Sequence, residues 1–226
     1  PIRIRTQDGL SNTLLFTIGT FSEAVEIESE TGLDEPLNDS TETAQDITTP
    51  VIVNGTLGPG DRDYYRIEAQ AGKRLVLEVE ARRIGSEVDP ILYVVDSEGR
   101  TVARSEDAPG LGVDARLEVI FDGNGPYFAG VQDATYASLS ENFYRLKVGD
   151  FSYVDGFFPL GWQHGEKAKV ELFGGNIEER STLHPNLTKI DKKVRSINIP
   201  IPGKPGALPL KFVVGASQER LEPKKS

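Results

Sequence analysis

The chain has 226 residues and is acidic, with 25 Lys and Arg against 35 Asp and Glu and a formal net charge of −10 at pH 7. Cysteine is absent, which excludes disulfides, thiolate metal sites and cysteine nucleophiles. No run approaches the ~20 apolar residues of a membrane-spanning helix, and we expect no membrane span. Nucleic acid is excluded as an expected partner because phosphate recognition needs clustered Lys and Arg.

The charge is divided unevenly along the chain. Residues 1–150 hold 13 Lys and Arg against 27 Asp and Glu, whereas residues 151–226 hold 12 against 8. A break of this kind favours two domains. Because the sequence begins at Pro1, we also expect a mature or excised fragment of a longer polypeptide.

Alternating hydrophobicity with a period of two dominates the sequence, and helical periodicity is almost absent. In residues 74–81, for example, Leu75, Leu77 and Val79 face one side while Glu78 faces the other. We predict further strands at residues 51–57, 91–95, 101–105, 116–121, 127–132, 143–148, 168–173, 194–199 and 210–214. Many short strands separated by Gly, Pro and Asp turns predict an all-β fold built from sandwiches.

An internal repeat sets the predicted domain boundaries. Residues 12–26, NTLLFTIGTFSEAVE, match residues 208–222, LPLKFVVGASQERLE, with Phe16 aligned to Phe212 and Gly19 to Gly215. We therefore predict that residues 1–20 are the closing hairpin of a preceding module whose full copy lies at 151–217. We divide the rest into an acidic linker at 21–32, a sandwich at 33–150, the complete second module at 151–217 and a tail at 218–226.

The acidic stretch before the first domain is the main candidate site. Residues 20–50 contain nine Asp and Glu and no Lys or Arg, and Asp61 and Asp63 follow in a turn that could close over the stretch. Calcium prefers six to eight oxygen ligands, many of them carboxylates. Two interpretations stay open, because the same composition also suits a solvated, repelling linker. A second acidic group, Glu106, Asp107 and Asp114, is expected in an exposed loop.

Several short motifs occur in order through the larger domain. They are EPLND, NGTL, GDRDYY, AGKRLVLEVEA and VDPILYVVDSEGR, followed by SEDAPGLGVDARLEVIF, GPYFAGVQDA and YRLKVGD. Together they resemble the bacterial pre-peptidase C-terminal domain over residues 33–150. Residues 151–217, with FPLGWQHGEKAKVELFGGNI, resemble an immunoglobulin-like module of the IPT/TIG kind.

The first resemblance implies a non-catalytic, jelly-roll-like β-sandwich appended to secreted proteins, followed here by a smaller immunoglobulin-like sandwich. It is also similar to the collagen-binding domains of clostridial collagenases, which hold calcium at the junction between a linker and the sandwich. The matching positions for a Ca²⁺ site are Glu35, Asn38, Asp39, Asp61 and Asp63. Leu37 departs from the family pattern, because it shifts Asn38 by one residue relative to Glu35.

The sequence predicts no enzyme. The two histidines, His164 and His184, lie in turn-rich segments, and no Gly-x-Ser-x-Gly nucleophile motif is present. We predict a structural or adhesion module of a larger secreted or surface bacterial protein, stabilised by Ca²⁺. The alternative is an accessory domain of a secreted peptidase that serves export or substrate binding. The expected partners are a matrix protein, a glycan or neighbouring modules of the same chain.

Overall fold

The structure is a computed structural model that describes residues 2–27, 38–135, 142–177, 181–201 and 209–221. The chain divides into a first unit, Pro1–Asp150, and a second unit, Phe151–Ser226. Regular structure is nearly all β, and the predicted all-β class is confirmed. In the described residues no helix is long and apolar enough to cross a membrane.

The first unit contains twelve strands and a single 3₁₀ turn at Arg82–Ile84 among its described residues. The strands are β1 (Arg5–Thr6), β2 (Gly9–Leu10), β3 (Ser22–Val25), β4 (Gln45–Asp46), β5 (Val51–Thr56), β6 (Arg62–Ala69), β7 (Arg74–Glu80), β8 (Pro90–Val95), β9 (Thr101–Ser105), β10 (Arg116–Ile120), β11 (Gly125–Asp133) and β12 (Phe143–Gly149).

Two five-stranded sheets form the sandwich, with strand orders β10-β7-β12-β5-β3 and β4-β6-β11-β8-β9. Neighbouring strands are antiparallel except at one edge of each sheet, where β3 runs parallel to β5 and β4 runs parallel to β6. We expected an acidic linker at residues 21–32, but Ser22–Val25 within it form strand β3. Ser22 pairs with Val51, so the segment covers the edge of β5 that would otherwise expose unpaired backbone groups.

The core lies on the inner, alternating positions of both sheets. Leu77 and Val79 on β7 and Leu117 and Val119 on β10 belong to this buried cluster, as their alternation predicts. Tyr65 and Tyr144 also belong to it and are at most 1% exposed. Full burial of a valine, leucine, isoleucine or phenylalanine side chain contributes about 1.5–3 kcal/mol, which makes this cluster the main source of stability.

The outer face of the first sheet carries buried ion pairs. Arg83 binds Asp114 at 2.6 Å and Glu78 at 3.0 Å, and Arg116 binds Glu78 at 3.0 Å. The expectation of an exposed loop is therefore wrong for Asp114, which is fully buried and also accepts the backbone N–H of Arg82 at 2.8 Å. Its carboxylate holds the 3₁₀ turn to the segment that leads into β10.

The described residues of the second unit form two three-stranded sheets, with strand orders β13-β15-β16 and β14-β18-β17. Its strands are β13 (Gly156–Phe158), β14 (Gly161–Gln163), β15 (Val170–Phe173), β16 (Thr182–Leu183), β17 (Ser196–Ile199) and β18 (Leu210–Gly215). A separate core surrounds Val170, Leu187 and Phe212, each fully buried. The immunoglobulin-like assignment of residues 151–217 stays a prediction.

The core of the first unit gives a direct test of the sandwich. Leu146 lies on β12, in the middle of its sheet, and is fully buried. We expect Leu146→Ala to lower the free energy of unfolding by about 2–5 kcal/mol, because it leaves a cavity between the sheets. Chemical denaturation measures the change. Val102→Ala on β9 is the control, since Val102 is 43% exposed; equal losses in both variants would contradict the described core.

Candidate metal centre

Three carboxylates meet where the turn after β5 leads into β6. One carboxylate oxygen from each of Asp39, Asp61 and Asp63 lies within 4.8 Å of the others. The turn fixes Asp61, whose two oxygens accept the backbone N–H groups of Gly58 at 2.9 Å and Arg62 at 2.7 Å. Asp63 follows on β6 and is fully buried, whereas Asp39 is less buried. The cluster thus runs from the interior of the sandwich to its surface.

Asn38 is anchored beside this cluster by its backbone and its side chain. Its backbone carbonyl accepts the N–H of Tyr64 at 2.7 Å, and its side-chain amide donates to Glu26 at 3.0 Å. The side chain is fully buried. These two bonds bring residues 38–39 against the start of β6, which is how Asp39 reaches Asp63 from a distant part of the sequence.

Glu26 joins the site to both sheets. Its carboxylate accepts hydrogen bonds from Asn38, from the Tyr65 hydroxyl at 2.9 Å and from the Thr56 backbone N–H at 2.8 Å, and it lies 3.2 Å from the Tyr144 hydroxyl. Tyr65 lies on β6 and Tyr144 on β12, so the bonds cross between the sheets. Glu26 is 9% exposed and fixes the chain that leaves β3.

Burial raises the pKa of two members of the site, Asp63 and Asp39. Burial, followed by the negative charge of Glu26, raises the pKa of Asp63 to about 10. The Tyr144 hydroxyl donates to Asp63 at 2.6 Å and partly opposes that rise in pKa. Burial and the nearby Asp61 raise the pKa of Asp39 as well. Without a cation, the carboxylates of this site are therefore too close together and too buried for all of them to be ionised at neutral pH.

Two oxygen atoms at this site are buried without a hydrogen bond. Asn38 Oδ1 and Asp63 Oδ1 accept no bond from any residue that the structure describes. A buried acceptor without a partner costs about 1–3 kcal/mol, so such atoms call for an explanation. Both are hard oxygen donors, which suit Ca²⁺, and the residues present therefore fit the ion that the resemblance implied.

The structure brings together most of the predicted ligand set. Asp39, Asp61 and Asp63 form one cluster, and Asn38 is held directly beside it. Glu35 and Leu37 lie outside the described residues. Sequence reasoning did not single out Glu26, because it is one of nine acidic side chains in residues 20–50. Its role follows from the parallel pairing of β3 with β5, which places it over Tyr65 and Tyr144.

No family model and no curated protein matches this chain. The fold is similar to that of a periplasmic inhibitor of g-type lysozyme, PliG from Aeromonas hydrophila, at 15% identity and a TM-score of 0.37 over 46% of this chain and 93% of that one. It is also similar to the pre-peptidase C-terminal domain of a Bacillus anthracis collagenase, at 20% identity and a TM-score of 0.37 over 49% of this chain and 99% of that one.

The raised pKa of Asp63 predicts an unusual pH dependence in the metal-free protein. A free aspartate loses its proton near pH 4, whereas folded Asp63 keeps its proton up to a pKa of about 10. Between these values the unfolded state binds fewer protons, so stability falls as pH rises. We expect a loss of roughly 1 kcal/mol per pH unit between about pH 5 and 9, measured by chemical denaturation in EDTA.

Asp63→Asn is the matched variant for this measurement, because the amide is neutral at every pH and nearly the same size. Its slope with pH should be much flatter than that of the parent protein. Parallel slopes for the two proteins would show that Asp63 is ionised in the folded state.

Proposed function

We propose that residues 33–150 form a non-catalytic module whose acidic junction binds Ca²⁺ and is stabilised by it. The observation that carries the proposal is the pair of unpartnered buried oxygens, Asn38 Oδ1 and Asp63 Oδ1, beside the Asp39–Asp61–Asp63 cluster. Both oxygens could coordinate a cation, and its positive charge would offset the repulsion among the carboxylates.

The donor set favours calcium over the other common ions. All its donors are oxygens, from carboxylates and one amide, whereas zinc prefers histidine and cysteine. Magnesium demands near-octahedral geometry and keeps several of its waters. A cluster that extends from a fully buried Asp63 to a less buried Asp39 suits the larger, more variable coordination shell of calcium.

Binding would replace protons by the ion. Asp63 must lose its proton before it can act as a full ligand, so calcium affinity should rise with pH. Because the site needs residues 38–39 to lie against β6, it exists only in the folded state. An ion at 100 times its dissociation constant then adds about 2.7 kcal/mol of stability.

We place the module in a larger secreted or surface bacterial protein, where it serves as a structural or adhesion element. The ordered motifs of residues 33–150 support this role, and calcium in the millimolar range outside cells can occupy weak sites. In the second unit, the buried ring nitrogens of His164 have no hydrogen-bond partner among the described residues, which argues against a general base at that position. A general base is normally oriented by such a partner. A matrix protein or glycan as ligand stays a prediction.

The experiment is thermal unfolding in EDTA and in millimolar CaCl₂, with MgCl₂ as the comparison. We expect calcium to raise the unfolding midpoint of the first unit by about 5–10 °C and magnesium to raise it far less. Isothermal titration should give one saturable binding process. Equal shifts with both ions, or none with calcium, would contradict the proposal.

Asp63→Asn separates the metal site from the stability of the fold. In EDTA its midpoint should equal or exceed that of the parent, because it replaces a protonated acid by a neutral amide. Its calcium affinity should fall by a factor on the order of 100. Asp122→Asn is the control, since Asp122 is exposed on the turn between β10 and β11. An unchanged calcium response in Asp63→Asn would show that this carboxylate is not a ligand.

A further inference from the structure

The first residues of the chain form a small hairpin with an exposed apolar surface. Ile2 and Leu14 exchange backbone hydrogen bonds of 2.8 and 3.0 Å, and β1 pairs with β2 nearer the turn. Leu14 is 58% exposed, and Phe16 and Ile18, which follow the paired residues, are 65% and 86% exposed. We call residues 2–19 the N-terminal hairpin.

The second unit contains the same pattern in a buried setting. Residues 14–19, LLFTIG, align with β18, LKFVVG. The aligned residues Leu210, Phe212 and Val214 are 9%, 0% and 1% exposed and face the core of the second unit. Residues that are buried in one copy of a sequence are therefore exposed in the other.

The pairing of the two segments is also alike. On β17, Ile199 lies opposite Leu210 in an antiparallel ladder, and in the N-terminal hairpin Ile2 lies opposite Leu14 in an antiparallel bridge. Ile199 is 9% exposed, whereas Ile2 is 51% exposed. This agreement in register is independent of the sequence alignment and extends the likeness to both strands of the hairpin.

In the second unit, β18 is the middle strand of its sheet. It pairs with β17 on one side and runs parallel to β14 on the other. Residues 15–19 belong to no sheet in the described part of the chain. Their backbone is therefore free to pair with a strand equivalent to β14. Their alternating apolar side chains form a face that the core of such a module would cover.

We propose that the N-terminal hairpin is the closing hairpin of a β-module of the same kind as the second unit, whose remaining strands precede Pro1 in the polypeptide. The partner is the rest of that module. In its core, Leu14, Phe16 and Ile18 would be buried as the aligned residues of the second unit are, namely Leu210, Phe212 and Val214. The surface is an intramolecular docking site for that module. This inference is independent of the calcium proposal, because none of these residues belongs to the metal centre.

The second unit itself supplies the missing strands for a test. In a fusion protein, a second copy of residues 151–198 is placed directly before Ile2 of the chain, which then continues to its end. Ile2 of the fusion takes the place of Ile199. We expect calorimetry to show an additional cooperative unfolding transition. Amide exchange at residues 14–18 should slow by at least about 100-fold, because the strand becomes the middle of a sheet. Absence of the transition, with unchanged exchange, would overturn the proposal.

Ile18→Asp is the variant that identifies the contact. In the unfused chain Ile18 is 86% exposed, so the substitution should leave the unfolding midpoints unchanged. In the fusion it should abolish the added transition, because the carboxylate would be buried in the place of Val214. An added transition that survives Ile18→Asp would mean that the hairpin does not enter the new core.

A second variant tests the strand without a fusion. The triple substitution Lys211→Leu, Val213→Thr and Val214→Ile gives β18 the sequence of residues 14–19, and the second unit should keep its unfolding transition. Residues 13–18 grafted onto 210–215, one residue out of register, place threonine at 210 and 214 and should abolish that transition. Loss of the transition in the in-register graft would overturn the proposal. So would a concentration-dependent dimer of the unfused chain that Ile18→Asp abolishes, because it would assign the surface to a second copy.

Discussion

The first unit depends on the burial of two acidic side chains, Glu26 and Asp63, between its sheets. Two tyrosine hydroxyls bridge them: Tyr65 donates to Glu26, and Tyr144 donates to Asp63 and also contacts Tyr65. Burying charge in an apolar sandwich is costly unless the groups share protons, hydrogen bonds or a cation. The metal-free protein meets this constraint by keeping Asp63 protonated, and the Ca²⁺ that we propose would offer a second way to meet it.

The edge strands explain how the chain brings these groups together. β3 and β4 are the strands that pair in parallel, one at the edge of each sheet of the sandwich. β3 delivers Glu26, and the chain between the two strands delivers Asn38 and Asp39 to the start of β6. An ion at Asp39, Asp61 and Asp63 would therefore tie the segment before the sandwich to its framework, as expected of a module that works within a longer chain.

The sequence predicted much of this framework but not its edges. Strand β9 falls at the predicted residues 101–105, because its alternation and flanking turns are local signals. Strands β3 and β4 were missed, since four and two residues with exposed or half-buried side chains have no pattern of their own. The three aspartates of the cluster were predicted through a resemblance. Glu26 could not be, because its burial depends on a strand pairing that only the fold reveals.

The most direct test of this account is the number of protons released when calcium binds near neutral pH. Calorimetric titration in two buffers of different ionisation enthalpy measures that number. The account predicts the release of about one proton for each ion bound, because Asp63 enters the site protonated. Saturable calcium binding with no proton release would contradict it, since the ion would then occupy carboxylates that were already ionised.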